Sequence, residues 1–275
     1  MASFDAPTVA IVWSVSFGWM ADVHLPLWVP VLLALTVWPV YVGDRLLDAR
    51  VGLRDAGSTD LQERHYFHWR HRQTLLALAV AATCCAALII LFFMPVAARE
   101  QDFVLAAAAL AYFACVHAGR RTHPFLAPLL TKELLVGVLF TLGCAEPTLR
   151  RIPALWSVSS LPVLGAMVFF ASLAWLNCSA IDAWESSAPR SSRSNLSTPF
   201  SAGCLLAGGG GVLAMECFAA NSHAGILLLA GGASAAMLAW LDHQRSRLSP
   251  VALRACADLV LLTPALFIPL RSIMR

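Results

Sequence analysis

The chain has 275 residues, of which 59% are hydrophobic and 13% are charged, with a formal net charge of +3 at pH 7. In soluble domains about a quarter of the residues are charged, so this composition excludes an ordinary soluble globular protein. The small net charge gives no reason to expect a nucleic-acid partner. The apolar residues come in repeated runs, each close to the ~20 residues that cross ~30 Å of hydrocarbon. The sequence therefore predicts an all-α integral membrane protein.

Nine apolar runs are candidate membrane spans, and we expect them to form one polytopic domain, 1–275. In chain order they cover about 7–21, 25–47, 73–97, 102–118, 125–145, 158–181, 199–219, 223–241 and 251–270. The first residues, MASFDAPTVA, contain no basic segment and no obvious cleavage site. We therefore expect the first run to remain as a helix rather than to be removed as a signal peptide.

Basic residues are distributed unevenly between alternate loops. The loops after spans two, four, six and eight hold eleven arginines, namely Arg50, Arg54, Arg64, Arg70, Arg72, Arg120, Arg121, Arg190, Arg193, Arg245 and Arg247. The opposite side holds five, namely Arg99, Arg150, Arg151, Arg271 and Arg275. The positive-inside rule then predicts that the first set of loops and the N-terminus are cytoplasmic.

Small residues inside the spans indicate close helix packing. GGGG at 208–211 and AGG at 230–232 let two helix backbones approach each other. The eight cysteines lie almost all within apolar runs and form no CxxC pair. We interpret them as small packing residues rather than as disulfides or zinc ligands.

The stretch VYVGDRLLDAR, 40–50, ends the second span with two acids. Asp44 and Asp48 are four residues apart and would lie about 40° apart on one helix face. Because the dipole at a helix C-terminus favours cations, two carboxylates there make a poor cap. They could pair with Arg45 and Arg50 at the headgroups. Alternatively they could bind magnesium, which takes one or two carboxylates together with substrate phosphate oxygens.

A second polar cluster, WLNCSAIDAWE at 175–185, ends the sixth span. Asp182 and Glu185 would lie about 60° apart on a helix and can face one cavity, whereas Asn177 joins them only if the helix end unwinds. Both acidic helix ends are expected on the cytoplasmic side. There they could hold two magnesium ions with a diphosphate between them.

This arrangement resembles the UbiA superfamily of intramembrane prenyltransferases. DRLLDA at 44–49 is similar to the DRxxDA core of that family's first aspartate-rich motif, and a second acidic motif closes the sixth helix. In LTKELLVGVLFTLG, 130–143, Lys132 and Gly137 stand where the family often has a lysine near the diphosphate and a closely packed glycine. The resemblance implies a nine-transmembrane-helix UbiA-like bundle.

The resemblance also implies a magnesium-dependent transfer of a prenyl group, from an isoprenyl diphosphate to an aromatic or lipid-like acceptor in the cytoplasmic membrane. The implied magnesium ligands are Asp44, Asp48, Asp182 and, out of register, Glu185. The implied diphosphate contacts are Arg45, Lys132 and Asn177, and the implied catalytic set is Asp44, Asp48, Asp182 and Lys132. Four aromatic residues could by position stabilise an allylic cation, namely Trp38, Tyr41, Trp175 and Trp184.

Departures from the family pattern keep two other functions open. Val40 stands where the family usually has asparagine, and Cys178 and Ser186 occupy the positions four residues on either side of Asp182. A catalytically inactive, UbiA-like lipid-binding membrane protein fits these departures. A small-solute transporter would instead use intramembrane charges such as Lys132 and Asp258, although no paired inverted repeat is visible.

Two further polar features have simple interpretations. The stretch ERHYFHWRHR, 63–72, carries His65, His68 and His71 at three-residue intervals, and a basic interfacial helix on anionic headgroups is the favoured interpretation. A cap over the cavity and a metal site are its alternatives. Asp258 is expected to pair with Arg254, one helical turn earlier.

Overall fold

The computed structural model describes residues 4–54, 69–117, 132–153, 157, 160–185 and 199–268. Within these ranges all regular structure is helical, with no strand. The α-helices there are α1 Asp5–Met20, α2 Trp28–Arg54, α3 Arg72–Phe93, α4 Val96–His117, α5 Lys132–Leu149, α6 Leu161–Glu185, α7 Pro199–Phe218, α8 Ser222–His243 and α9 Pro250–Val260. Each overlaps one predicted span, and the prediction of an all-helical chain is confirmed.

Five of these helices are long and apolar enough to cross a membrane. They are the Trp28–Leu47 part of α2, and α3, α6, α7 and α8, which confirms the prediction of helices suited to an integral membrane protein. In contrast, α1 and α9 have 16 and 11 residues, fewer than the ~20 of a full crossing. The count of nine spans therefore stays a prediction.

The ninth predicted span, 251–270, is an α-helix only as far as Val260. A short 3-10 helix, Thr263–Leu266, follows it. Pro264 has no backbone N–H to continue an α-helical ladder, and the chain tightens there instead. At the other end of α9, the Ser249 hydroxyl accepts a hydrogen bond from the Ala252 amide at 3.2 Å and caps the helix.

The described helices belong to two compact units, one formed by 1–11 and 26–118 and the other by 12–25 and 119–275. In the first unit α2 packs on α3 through a core of Trp38, Val42 and Leu75. Phe4 stacks on the Trp38 ring, with 6.0 Å between the ring centroids. The outer side of α3 exposes apolar residues such as Phe92, as expected for a surface that faces lipid.

Arg99, near the start of α4, donates hydrogen bonds to backbone carbonyls at the end of α3. Its Nε donates to the Met94 carbonyl at 3.0 Å, and its Nη2 donates to the Leu91 carbonyl at 2.8 Å. The last carbonyls of a helix have no partner within the helix, so this one side chain caps α3.

The second unit is built around α8, which packs against α6, α7, α9 and the 3-10 helix. Its aromatic core joins α1 to α6, because the Trp13 ring meets the Phe170 ring edge to face with centroids 4.8 Å apart. The indole N–H of Trp13 also donates to the Leu261 carbonyl at 2.9 Å. Trp13 and Phe170 are fully buried.

Close approach of α7, α8 and α6 depends on three glycines. A Cβ on Gly210 would lie 2.8 Å from the Phe169 ring and 3.2 Å from the Gly232 backbone, and a Cβ on Gly231 would lie 2.6 Å from the Phe169 ring. The predicted close packing is thus confirmed at these positions. The other glycines of the GGGG stretch, 208, 209 and 211, have nothing within 4 Å of an added Cβ.

α1 ends in a left-handed turn at Asp22, whose φ is 53°. The Val23 amide donates to the Gly18 carbonyl at 2.8 Å, and the Asp22 amide donates to the Trp19 carbonyl at 3.2 Å. This pair of bonds is a Schellman motif, in which aspartate takes the position usually held by glycine. The residues that follow α1, 22–24, therefore form its C-terminal cap.

Two arginine side chains interact with the C-terminal end of α5. Arg150 pairs with Glu146 at 3.0 Å, and Arg151 donates from Nη1 to the Pro147 carbonyl at 2.6 Å. Burial lowers the pKa of the Arg151 guanidinium, and the neighbouring Arg150 charge lowers it further. Cations at this position compensate the negative end of the helix dipole.

Candidate functional site

The first acidic motif lies on an unbroken helix. α2 runs from Trp28 to Arg54, so Asp44 and Asp48 are one turn apart on the same face, as the spacing predicts. Asp44 is half-exposed, whereas the side chain of Asp48 is outside the described set. Val40, one turn before Asp44, is 59% exposed. This face of α2 is therefore accessible at both Val40 and Asp44.

Arg45 points into the first unit rather than out of it. Only 8% of this residue is exposed, and its Nη2 donates to the Tyr41 hydroxyl at 2.7 Å. The Tyr41 hydroxyl in turn donates to Oδ2 of Asp5 at 3.3 Å. A buried guanidinium needs such partners, because a charge without them is costly to desolvate. Asp5 was missed by sequence reasoning, since an acid in a first helical turn ordinarily signals only a favourable dipole contact.

The register between α5 and α6 is set by Gly137. A Cβ at this position would lie 2.8 Å from the Trp175 amide nitrogen and 2.9 Å from the Ala171 carbonyl. Gly137 lies twelve residues before the end of α5, and Ala171 lies ten residues after the start of α6. α5 and α6 are consecutive in the chain, joined by the short connection 150–160, and pack against each other. They therefore run antiparallel, in direct backbone contact at Gly137.

This register brings Asp182 close to the start of α5. On α6 the positions 171, 175, 178 and 182 share one face, and Gly137 lies against that face. With a rise of about 1.5 Å per residue, Lys132 lies roughly 8 Å from the level of Gly137, and Asp182 lies about one turn further. Asp182 is exposed and lies on the side that faces the first turn of α5. The Lys132 side chain is outside the described set.

Asn177 lies on a different side of α6. The helix is unbroken through Glu185, so Asn177 and Asp182 are about 140° apart, and the unwinding that would bring them together does not occur. Asn177 is 5% exposed, and its buried Oδ1 has no hydrogen-bond partner among the residues that the structure describes. The register thus places the start of α5 and Asp182 about one turn apart along the helices, whereas Asn177 lies on another side of α6.

Two polar contacts tie the end of α6 to α8 and α9. The Trp184 indole N–H donates to Oδ1 of Asp242 at 2.8 Å, and Nη1 of Arg245 lies 3.3 Å from the same oxygen. Glu185 Oε1 lies 3.1 Å from Nη1 of Arg254 on α9. These contacts join residues 58 and 69 positions apart in sequence, and sequence reasoning predicted neither.

The Glu185–Arg254 pair gives a prediction about stability. Both side chains are about four-fifths buried, so removing either charge takes a counter-ion away from a largely desolvated group. We expect Glu185→Gln and Arg254→Met each to lower the unfolding free energy by about 1–2 kcal/mol, and the double variant to lose less than the sum. Thermal unfolding in detergent of the four proteins measures this coupling, and additive losses would show that the pair contributes nothing.

The predicted ligands are distributed over both units. Asp44 and Asp48 belong to the first unit, whereas Lys132, Asp182 and Glu185 belong to the second. Among the described side chains, no three His, Cys, Asp or Glu residues cluster as a metal site. His65 and His68 lie outside the described residues, and His71 precedes α3 with its side chain exposed.

Comparison of this chain with models of known families, with curated proteins and with solved structures gave no match. The assignment of a function therefore depends on the residues of the two acidic motifs and on their placement.

Proposed function

We propose that this protein is a UbiA-like integral membrane prenyltransferase, which moves a prenyl group from an isoprenyl diphosphate to an aromatic or lipid-like acceptor. The observation that carries the proposal is the position of Asp182, on the face of α6 next to the first turn of α5, which begins at Lys132. An acid, a basic residue and a helix N-terminus at one place suit a substrate that is both anionic and metal-bound.

The donor set fits magnesium, because carboxylate oxygens are the protein ligands that this ion prefers. Asp44 and Asp48 are the proposed magnesium ligands on α2, and Asp182 is the proposed magnesium ligand on α6. When bound, magnesium neutralises diphosphate charge and makes the diphosphate a better leaving group. Glu185 already pairs with Arg254 at 3.1 Å, so a metal role for this carboxylate requires that it be shared with a guanidinium.

The basic residues would have distinct tasks. Lys132, with the amides of the first turn of α5, would bind phosphate oxygens and hold the diphosphate as the carbon–oxygen bond breaks. Arg45 is fixed by Tyr41 at 2.7 Å, so it would act as a positioned charge with little freedom to follow the substrate. Asn177 is buried on another side of α6, so its proposed contact with the diphosphate would come from a different direction than that of Lys132.

Of the four aromatic candidates, Trp175 is best placed. It lies on the same α6 face as Asp182 and is half-buried. Trp38 is stacked on Phe4, and the Trp184 N–H is bound to Asp242. We assign Trp175 to the stabilisation of the allylic cation by its ring face, an interaction worth about 2 kcal/mol when desolvated.

A first test uses the unmodified protein. Purified in detergent, it is expected to bind a radiolabelled isoprenyl diphosphate with magnesium present and to lose that binding when the ion is removed with a chelator. Transfer of the label to an added aromatic or lipid acceptor would then establish the reaction. Binding that is equally strong without magnesium would overturn the proposed metal site.

A second candidate function is favoured by Val40. Its exposed, apolar side chain stands one turn before Asp44, where the family usually has asparagine. The protein would then be an inactive UbiA-like protein that binds an isoprenoid lipid without ionising it. Binding of an isoprenoid alcohol as tight as binding of the diphosphate, with no release of inorganic diphosphate, would favour this function over the transferase.

A further inference from the structure

Two apolar grooves flank one tryptophan on the outer face of α8. The α7–α8 groove has a volume of about 330 Å³ and is lined by residues such as Cys204 and Ala236. The α8–α9 groove has a volume of about 440 Å³ and is lined by residues such as Met237 and Leu259. Trp240 borders both grooves and is 58% exposed.

The period of the helix explains why the grooves are paired. Viewed from Trp240, Ala236 and Ala239 lie about 40° and 100° round α8 in one direction, whereas Met237 and Leu241 lie about 60° and 100° in the other. The Trp240 ring is thus a ridge between two apolar channels. Both α7 and α8 are long and apolar enough to cross a membrane, so this ridge and its channels belong to a face suited to lipid chains.

Basic groups lie at one end of the α7–α8 groove. His243 lines the α7–α8 groove and is the last residue of α8, and Arg245 and Arg247 follow it. Arg245 is oriented by Asp242 at 3.3 Å, and Arg247 is exposed. The Asp242 carboxylate is buried and also accepts the Trp184 N–H, so it is held away from the groove surface.

The start of α7 lies at the same end of the α7–α8 groove. The Phe200 ring lies 6.0 Å from the His243 ring, and Phe200 is the second residue of α7. Tryptophan, with an apolar ring and a polar N–H, is enriched at this depth of a bilayer.

We infer that this face binds an anionic diacyl phospholipid, with one acyl chain in each groove beside Trp240 and the phosphate at Arg247 and His243. Two apolar channels suit two chains, and the basic end selects a negatively charged headgroup. This site is separate from the acidic helix ends and requires neither magnesium nor an isoprenyl diphosphate.

Native mass spectrometry of the full chain tests the inference. The protein is transferred from detergent with equal amounts of phosphatidylglycerol and phosphatidylcholine that have the same acyl chains. Because basic residues attract an anionic headgroup, we expect one phosphatidylglycerol to be retained about tenfold over phosphatidylcholine. Arg247→Gln should reduce that preference to a few-fold, whereas Arg150→Gln, at the end of α5 and paired with Glu146, should not.

The role of the grooves in lipid binding is tested by a substitution that fills one of them with a larger side chain. Ala236 is exposed in the α7–α8 groove, and Ala233, about one turn earlier, is exposed but lines neither groove. We expect Ala236→Phe to reduce retention of both lipids several-fold, and Ala233→Phe to leave it unchanged, with equal helical content by circular dichroism. Equal retention of the two lipids by the wild type, or equal effects of the two phenylalanines, would overturn the inference.

Discussion

Replacement of Asp182 or Asp44 by asparagine is expected to weaken magnesium-dependent binding of an isoprenyl diphosphate by at least about 100-fold. Loss of an outer-shell partner alone costs roughly 10–100-fold in metal affinity, and a direct ligand contributes more. Asparagine keeps the shape of the side chain but removes the charge that attracts the ion. The measurement is equilibrium binding of the labelled diphosphate across a magnesium titration. It is made on both variants, of which Asp44→Asn alters the first compact unit and Asp182→Asn the second.

A matched control is provided by Asp22, an exposed aspartate at the end of α1. Its φ is 53°, a backbone conformation in which asparagine is as acceptable as aspartate. Asp22→Asn removes one acidic charge without backbone strain, so it should leave the magnesium titration unchanged. If Asp182→Asn and Asp22→Asn gave the same titration as the wild type, Asp182 would not be a ligand.

The helices could be predicted from sequence because long apolar runs leave few alternatives in a membrane. The ends of the helices were harder to predict, since they depend on the local sequence at each end. Asp22 forms a C-cap with a positive φ. Within the last predicted span, Pro264 lies in a 3-10 helix that follows the α-helix α9. Hydropathy averaged over a span does not detect either event.

The candidate site was predictable where one helix determines it. The four-residue spacing of Asp44 and Asp48, and the separation of Asn177 from Asp182, both follow from the helical period alone. The position of Asp182 beside the start of α5 required the α5–α6 register, which is set by a backbone contact at Gly137. The contacts of Trp184 with Asp242 and of Glu185 with Arg254 required the tertiary packing of three helices.

Gly137→Ala is expected to have the largest effect on stability of the substitutions considered. The added Cβ would lie 2.8 Å and 2.9 Å from backbone atoms of Trp175 and Ala171, which cannot move by a change of side-chain rotamer. The two helices must separate, and overpacking of this kind costs about 1–3 kcal/mol. Because Lys132 moves with α5, diphosphate affinity should also fall while its dependence on magnesium is retained.

Gly143→Ala is the matched control for this effect, since Gly143 lies in the same helix and an added Cβ has nothing within 4 Å. Alanine within a helix is favoured over glycine by about 0.5–1 kcal/mol, so this variant should be at least as stable as the wild type. The two substitutions therefore have opposite expected signs in thermal unfolding, although their chemistry is identical. Equal stabilisation by both alanines would mean that α5 and α6 are not in backbone contact at Gly137, and the placement of Lys132 beside Asp182 would lose its basis.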